Sequence, residues 1–221
     1  MNILNTCIVY ILAYMLGSIP AAVWIGKWVH NIDVRQHGSG NAGTSNVIRV
    51  LGWKTGIPVL IIDILKGWLA TMLPVFFNLA EPNGALITNL QIISGITAII
   101  GHIFPVLAGF RGGKGVATVF GVLLALQPLL TIFCFVVFLL VLLITGIVSV
   151  SSMSAGVAFP VFLFSIFDTP SLVFKIFSIL VAVALIAVSY THLDVYKRQN
   201  LCKLFSFPCS DRQTGSSPGI N

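Results

Sequence analysis

The sequence predicts an all-α polytopic integral membrane protein of about seven transmembrane helices, with the N-terminus outside and the C-terminus cytoplasmic. Three observations carry this. Of 221 residues, 57% are hydrophobic and only 8% are charged, against about 25% charged in an ordinary soluble domain. The apolar residues fall into runs of helix-spanning length, and the basic residues gather in alternate connections. Mean hydropathy is +1.02. A soluble fold of this size buries only about 70% of the surface that its chain exposes. A soluble enzyme, a disordered chain and a nucleic-acid module are therefore excluded.

A span needs about 20 apolar residues. The first runs from about Ile3 to Ile25, and a polar, basic loop covers Lys27 to Lys54. No Lys or Arg precedes Lys27, so the first span lacks the basic start of a cleavable signal peptide and reads as a retained helix. The second span, about Gly56 to Leu79, contains Asp63 and Lys66. Glu81-Pro82-Asn83-Gly84 turns the chain into a third span, about Leu86 to Leu107. Residues 116–144 carry no charge, but Gln127-Pro128 interrupts them, and Pro ends or kinks a helix. This gives a short fourth span (Val116–Leu126) and a fifth (Leu129–Thr145); an unbroken 116–145 would give six spans in all. A Ser-rich turn, Ser149 to Ser154, leads to a sixth span ending near Phe167. Asp168-Thr169-Pro170 is a turn, and Leu172–Val188 is the seventh span.

Charge supports the seven-span count. The net charge is +6, from 12 Lys+Arg and 6 Asp+Glu. Seven spans place Lys27, Arg35, Arg49, Lys54, Arg111, Lys114, Lys197, Arg198, Lys203 and Arg212 on the inside, leaving only Lys66 and Lys175 within spans. Positive-inside bias selects this arrangement, since six spans would put the basic tail on the opposite side. Of the four cysteines, Cys7 and Cys134 lie in apolar runs, and Cys202 and Cys209 form no CxxC pair. No disulfide framework, metal site or cofactor is expected.

Two Gly-rich segments suggest chemistry. The first is Gly38-Ser39-Gly40-Asn41-Ala42-Gly43-Thr44-Ser45-Asn46-Val47-Ile48-Arg49. It contains a literal GxGxxG, but a membrane helix and a basic loop precede it rather than the strand of a dinucleotide-binding unit. It reads as an anion cradle, with Ser39, Gly40, Asn41 and Asn46 as neutral donors and Arg49 as a planar charged fork. A plain solvated loop is the bland alternative.

The second segment is Gly101-His102-Ile103-Phe104-Pro105, continuing to Arg111-Gly112-Gly113-Lys114-Gly115-Val116-Ala117-Thr118. It is not a Walker A loop, because Gly115 stands where Ser or Thr should follow Lys114. Glycines and a lysine at a helix start still favour phosphate, through free N–H groups and the helix dipole. Arg111 and Lys114 also serve as topology determinants. Asp63 and Lys66, three apart, share a helix face and can pair, either in a structural or supporting role or in direct contact with substrate. His102 fits either a packed core histidine or a catalyst. Ser149 and Ser152 are weak phosphate candidates, since small hydroxyls also serve helix packing. Three polar segments on one cytoplasmic face predict a phosphorylated, water-soluble substrate meeting a lipidic one.

These residues resemble the bacterial acyl-phosphate:glycerol-3-phosphate acyltransferase family, an integral membrane group. The resemblance rests on Gly17-Ser18-Ile19-Pro20, on 38–49, on Asp63-Ile64-Leu65-Lys66-Gly67, on 101–118 and on Ser149–Ser152. It implies a seven-helix enzyme of the bacterial cytoplasmic (inner) membrane. The implied reaction moves a fatty acyl group from acyl phosphate to glycerol 3-phosphate, giving 1-acylglycerol 3-phosphate (lysophosphatidic acid) and phosphate, early in phospholipid synthesis. It implies no acyl-CoA or acyl carrier protein as direct donor, and a functional link to the enzyme that makes acyl phosphate. By the family pattern Ser39, Arg49, Lys114 and a serine of 149–152 meet substrate phosphates. Lys114 and His102 are the candidate catalytic residues, and Gly112, Gly113 and Gly115 complete the cradle. Acyl phosphate is an activated anhydride, so no enzyme nucleophile is required. Either a substrate phosphate or His102 takes the hydroxyl proton. A transporter of a phosphorylated metabolite and a lipid-forming transferase with another donor are the rival readings.

The tail departs from the family. A His, an Asn three residues on and then Gly-x-Glu are expected, but His192 is followed by Val195 at that spacing, and no Glu occurs after Glu81. Tyr190–Gln199 (YTHLDVYKRQ) resembles translated sequencing adapter. The expected division is one transmembrane domain, 1–189, and an aberrant or disordered tail, 190–221.

Overall fold

The computed structural model describes residues 3–82, 84–166 and 172–187. These form nine α-helices in chain order: α1 (Ile3–Gly17), α2 (Ala21–His30), α3 (Thr44–Leu51), α4 (Trp53–Phe76), α5 (Ala85–Ile103), α6 (Val116–Leu126), α7 (Pro128–Thr145), α8 (Val148–Ser165) and α9 (Leu172–Ala187). Two 3₁₀ turns, Val34–Gln36 and Val106–Ala108, lie in connections, and no strand occurs among the described residues. All-α architecture follows from the bilayer: without water, each backbone polar group must find an internal partner.

Three sequence expectations need correction. The first span is not continuous to Ile25: α1 stops at Gly17 and α2 leaves at 40°. Pro20 lacks the N–H that a continuous helix would need. The segment 27–54 is not simply a loop. Helix α2 reaches His30, where Asn31 turns left-handed (φ 55°), and α3 begins after Gly43. Residues 149–154 are not a turn either. The turn is at Gly146, in the left-handed region (φ 65°), and α8 has already begun at Val148. Its serines stay helical because Ser151 and Ser154 hydroxyls donate to Ile147 and Val150 carbonyls at 2.9 and 3.0 Å, satisfying themselves within the helix.

Four helices (α4, α5 extended to Ala108, α7 and α8) are long and apolar enough to cross a bilayer, and five candidates result if bent α1–α2 is one span. Helices α6 and α9 are apolar but shorter. The chain is a multi-pass membrane protein. Leu143 and Ile144, each 83% exposed, and the exposed Leu and Ile side chains of α1, α4, α5 and α9 suit a lipid-facing surface.

Small residues set the close helix crossings, as expected where lipid removes the hydrophobic drive. A Cβ on Gly67 of α4 would strike the Thr118 carbonyl of α6, and one on Gly121 would strike the Ile64 carbonyl. Gly17 and Gly101 hold α1 against α5 in the same way. A second core joins α5, α6, α7, α8 and α9 through Ile92, Val122, Leu130, Phe159 and Phe174. The first arrangement matters for the site, because it locks α4, α5 and α6 where their polar residues face one another. The tail 190–221, with His192 and Asn200, and the Asp168–Pro170 turn lie outside the described residues.

Candidate active site

The site begins with a buried charge. Asp63 and Lys66, one turn apart on α4, are 2% and 4% exposed and pair at 2.8 Å. Lys66 also donates to the Ile19 carbonyl at 2.9 Å. That carbonyl belongs to the break between α1 and α2, where the helical ladder is lost. Lys66 therefore serves a buried carboxylate and a carbonyl of the helix break, which also accepts from the Ala21 N–H at 3.1 Å.

Asp63 reaches the site through His102. Nδ1 of His102 lies 3.6 Å from Asp63 Oδ1 and 3.1 Å from Thr118 Oγ1. All three residues are buried. The opposite ring nitrogen faces the Gly-rich turn: a Cβ on Gly113 would overlap Nε2 and lie 3.0 Å from the Ala42 carbonyl. A Cβ on Gly112 would strike the His102 carbonyl. The two Gly-rich segments thus meet at His102. Between them runs a narrow cleft lined by Pro20, Ala42, Asp63, Lys66, His102 and Gly113, among others.

The backbone accounting separates space-makers from donors. Gly112 and Gly113 N–H groups donate to the Ile103 and His102 carbonyls, each at 3.2 Å. These two glycines supply room rather than donors. Gly115, left-handed at φ 79°, precedes α6, and the first helical amide bond runs from Val119 to Gly115. The amides of 116–118 are thereby the open N-terminal groups of α6. Lys114 is half-buried beside them, and burial pushes its ammonium below the ordinary lysine range.

Asn46 organises the first loop. It is 2% exposed. Its Oδ1 accepts from Ser39 N–H at 2.8 Å, and its Nδ2 donates to the Val34, His37 and Asn41 carbonyls at 2.8, 3.1 and 3.0 Å. Gly40 N–H donates to the His37 carbonyl. The Asn46 amide, the Ser39 N–H and the Gly40 N–H are therefore occupied within the loop. Ser39 and Arg49 side chains are exposed. Asn41 Oδ1 and Thr44 Oγ1 are enclosed but make no hydrogen bond, so the cradle retains polar atoms that a ligand can satisfy.

Arg35 ties the loops together. It donates to Asp33 through Nε and Nη2 at 3.0 and 2.8 Å, and through Nη1 to the Ala108 carbonyl at 2.8 Å. These hydrogen bonds hold the Asp33 carboxyl far below the usual carboxylate range. The sequence alone marks Arg35 only as an inside charge and assigns Thr118 no role. The Asp33-x-Arg35 spacing was the one local signal of the first; nothing local signalled the second.

The structure brings together the 38–49 and 111–115 segments, His102, Asp63 and Lys66. It does not tie in the serines of α8. Ser149 is half-buried and Ser152 is 8% exposed, and no hydrogen bond joins either to the two loops among the described residues. No group of three or more metal-ligating side chains occurs among the described residues.

Comparison with known proteins identifies the family and the fold. A family model described as glycerol-3-phosphate acyltransferase matches residues 7–201. A glycerol-3-phosphate acyltransferase of Listeria welshimeri is 50% identical over 129 residues, which is 58% of this chain and 63% of that protein. One from Streptococcus equi subsp. zooepidemicus is 50% identical over 121 residues, 55% of this chain and 53% of that protein. The alignments thus span just over half to under two-thirds of these relatives. The crystal structure of PlsY (YgiH), an integral membrane glycerol 3-phosphate acyltransferase in its glycerol 3-phosphate form, superposes with a TM-score of 0.71 at 33% identity. It covers 91% of this chain and 92% of that chain. The lysophosphatidic acid form of the same protein gives 0.69. With most of its length matched by the family model and the same fold as that enzyme, the chain belongs to the glycerol-3-phosphate acyltransferase family.

Proposed function

We propose that this protein transfers a fatty acyl group from acyl phosphate to glycerol 3-phosphate, releasing lysophosphatidic acid and phosphate. The observation that carries the reading is the meeting of two Gly-rich loops at Gly113, between the Ala42 carbonyl and His102. The two loops can then bring two phosphates close together. Positioning of this kind supplies much of a barrier reduction when the donor is already activated.

Ser39, Arg49 and Thr44 are assigned to the phosphate of glycerol 3-phosphate, and Asn41, whose unmet Oδ1 is an acceptor, to one of its hydroxyls. Lys114 and the open amides that begin α6 are assigned to the phosphate of the donor, where charge develops as it leaves. Asn46, Gly40, Gly112, Gly113 and Gly115 shape the loops. Asp63 and Lys66 support them. Ser149 and Ser152 remain candidate contacts only if α8 approaches the bound substrate.

The topology that goes with this reading is seven spans, with α1–α2 as one broken span and α6 and α9 as short ones. Helix α6, with 11 residues, rises about 16 Å, so it depends on close packing with α4 for cover. Lys27, Arg35, Arg49, Lys54, Arg111 and Lys114 then share the inside face with both loops, with the N-terminus outside. The membrane is the bacterial cytoplasmic membrane, and the partner activity is an enzyme that makes acyl phosphate.

Purified protein in lipid given labelled glycerol 3-phosphate tests the reaction. Acyl phosphate should yield labelled lysophosphatidic acid and one phosphate per product, and acyl-CoA should yield none. Equal transfer from acyl-CoA would identify a transferase with another donor. Uptake of label into vesicles without acylation would identify a transporter.

A further inference from the structure

Arg35 lies outside both Gly-rich segments and yet is bonded to each. Its main chain belongs to the scaffold of the first. Asn46 Nδ2 donates to the carbonyls of Val34 and His37, on either side of it, at 2.8 and 3.1 Å, and a Cβ on Gly40 would lie 3.5 Å from the Arg35 carbonyl. The guanidinium is fixed by Asp33, which accepts from Nε and Nη2 at 3.0 and 2.8 Å and from the Arg35 N–H at 3.1 Å. Lys27 Nζ stands 3.6 Å from the same carboxylate. So oriented, Nη1 donates to the Ala108 carbonyl at 2.8 Å. Ala108 closes the 3₁₀ turn that enters the second segment through Gly109 and Phe110, both left-handed at φ 64° and 59°. A bulky residue such as Phe adopts that region at a cost, and only where its surroundings hold it there. The Phe110 N–H donates to the Pro105 carbonyl at 2.9 Å from within the turn, and Arg35 holds the turn from outside.

The two segments therefore meet at both ends of a closed frame. One end is the Arg35–Ala108 hydrogen bond, and the other is the approach of Gly113 to the Ala42 carbonyl. Ser39 and Gly40 lie between the attachments on the first side, Arg111 and Gly112 on the second, and Lys114 follows directly. An attachment at Gly113 alone would leave the first loop able to swing about it; a second attachment fixes the spacing. We propose that Arg35, oriented by Asp33, is a positioning residue for acyl transfer, clamping the 106–111 turn to the first loop so that the two phosphate-holding loops keep one spacing. This rests on the acyl-transfer reading above. Asn46 braces the first loop internally, and the Gly112 and Gly113 amides brace the second on the end of α5. Loss of the clamp therefore spares the contacts that each loop makes to its own phosphate and disturbs their mutual placement. That placement counts when hydroxyl and acyl carbon must meet, so the loss falls on kcat rather than on KM.

Hydrogen–deuterium exchange and kinetics on the full chain in lipid nanodiscs test the clamp separately from the reaction. Arg35→Lys keeps the positive charge but lacks the planar fork that serves Asp33 and Ala108 together. The charge-balanced Asp33→Asn/Arg35→Gln removes fork and carboxylate at once. In both variants the amides of 106–113 should exchange about tenfold or more faster than in wild type. The amides of Ser39 and Gly40, held by Asn46 and the His37 carbonyl, should keep the wild-type rate. With wild type active, kcat should fall about 10- to 100-fold, and KM for glycerol 3-phosphate should change by less than about twofold. A wild type that does not acylate glycerol 3-phosphate refutes the reaction reading, and exchange then decides the clamp on its own. Wild-type exchange and wild-type kcat in Arg35→Lys would reduce Arg35 to an inside charge. A raised KM at constant kcat would make it a substrate contact, and faster exchange throughout the helices would make it a general fold residue. Each of these overturns the proposal, as does a lowered kcat with unchanged exchange at 106–113. Should the double variant not fold, Arg35→Lys decides by the same readouts.

Discussion

Gly113 lies against the His102 ring so closely that a Cβ at 113 would overlap Nε2, while the Gly113 amide donates to the His102 carbonyl at 3.2 Å. One residue thus ties the second Gly-rich loop to the end of α5 by both its backbone and its lack of a side chain. The same missing Cβ lets the Ala42 carbonyl of the first loop approach.

The first loop should fail through Asn46. Asn46→Ala removes the acceptor for Ser39 N–H and the donor to three carbonyls. Leaving buried polar groups unmet costs about 1–3 kcal/mol. A lower melting temperature in detergent and a raised KM for glycerol 3-phosphate are expected together. Unchanged values of both would remove Asn46 from the loop scaffold.

Ser39→Ala and Arg49→Ala should act on binding. Ser39, in the loop before α3, and Arg49, in the last turn of α3, are both exposed and can meet an incoming anion. Loss of a charge-assisted contact costs roughly 1.5–3 kcal/mol, so KM for glycerol 3-phosphate should rise about 10- to 150-fold in Arg49→Ala and less in Ser39→Ala. A fall in kcat at constant KM would contradict the assignment.

Lys114 gives a pH signature. Burial lowers its pKa from the ordinary 10.5. The sign follows: below the lowered value the lysine is charged in the folded chain at some cost in stability, and that cost is relieved as pH rises through it. Phosphate binding needs the charged form, so donor affinity should fall on the alkaline side before pH 10.5, while the free protein does not lose stability on that account. Lys114→Arg, always charged, should remove that alkaline fall even if it lowers the rate. Lys114→Ala should abolish transfer while the protein still inserts. An identical alkaline profile for the Arg variant would show that another group titrates.

The tail offers a test by replacement. Exchanging 190–221 for a segment with His, Asn and Glu in the family spacing should raise activity, because residues 190–199 break that pattern. The family match nevertheless continues to residue 201. Equal or greater activity from the chain as it stands would make His192 or Asn200 a candidate site residue.

Much of this was legible in the sequence. Apolar run length located α4, α5, α6 and α7 closely, since lipid imposes one rule on every span. Gln127-Pro128 correctly divided α6 from α7. The i,i+3 spacing of Asp63 and Lys66 gave their pairing. The break at Ser18–Pro20 carries a local signal in Pro20, but the apolar composition that continues through it reads as one span. Local signals also hid the helical state of Ser149–Ser154, where serine reads as turn in water but satisfies itself within a helix in lipid. The occupied amides of Ser39, Gly40, Gly112 and Gly113 depend on carbonyls brought by the tertiary fold, as does the Thr118–His102 contact. No spacing rule reports such pairings.

The most direct measurement is the initial rate of lysophosphatidic acid formation from acyl phosphate and labelled glycerol 3-phosphate, for wild type and Gly113→Ala in matched, folded amounts in lipid. A Cβ at 113 must push the loop off His102, and an ångström-scale misplacement costs on the order of 10²-fold in rate. The account predicts transfer by wild type with equal phosphate release, and a loss of about that size in Gly113→Ala. A Gly113→Ala rate equal to an active wild type would contradict a site built where the two loops meet.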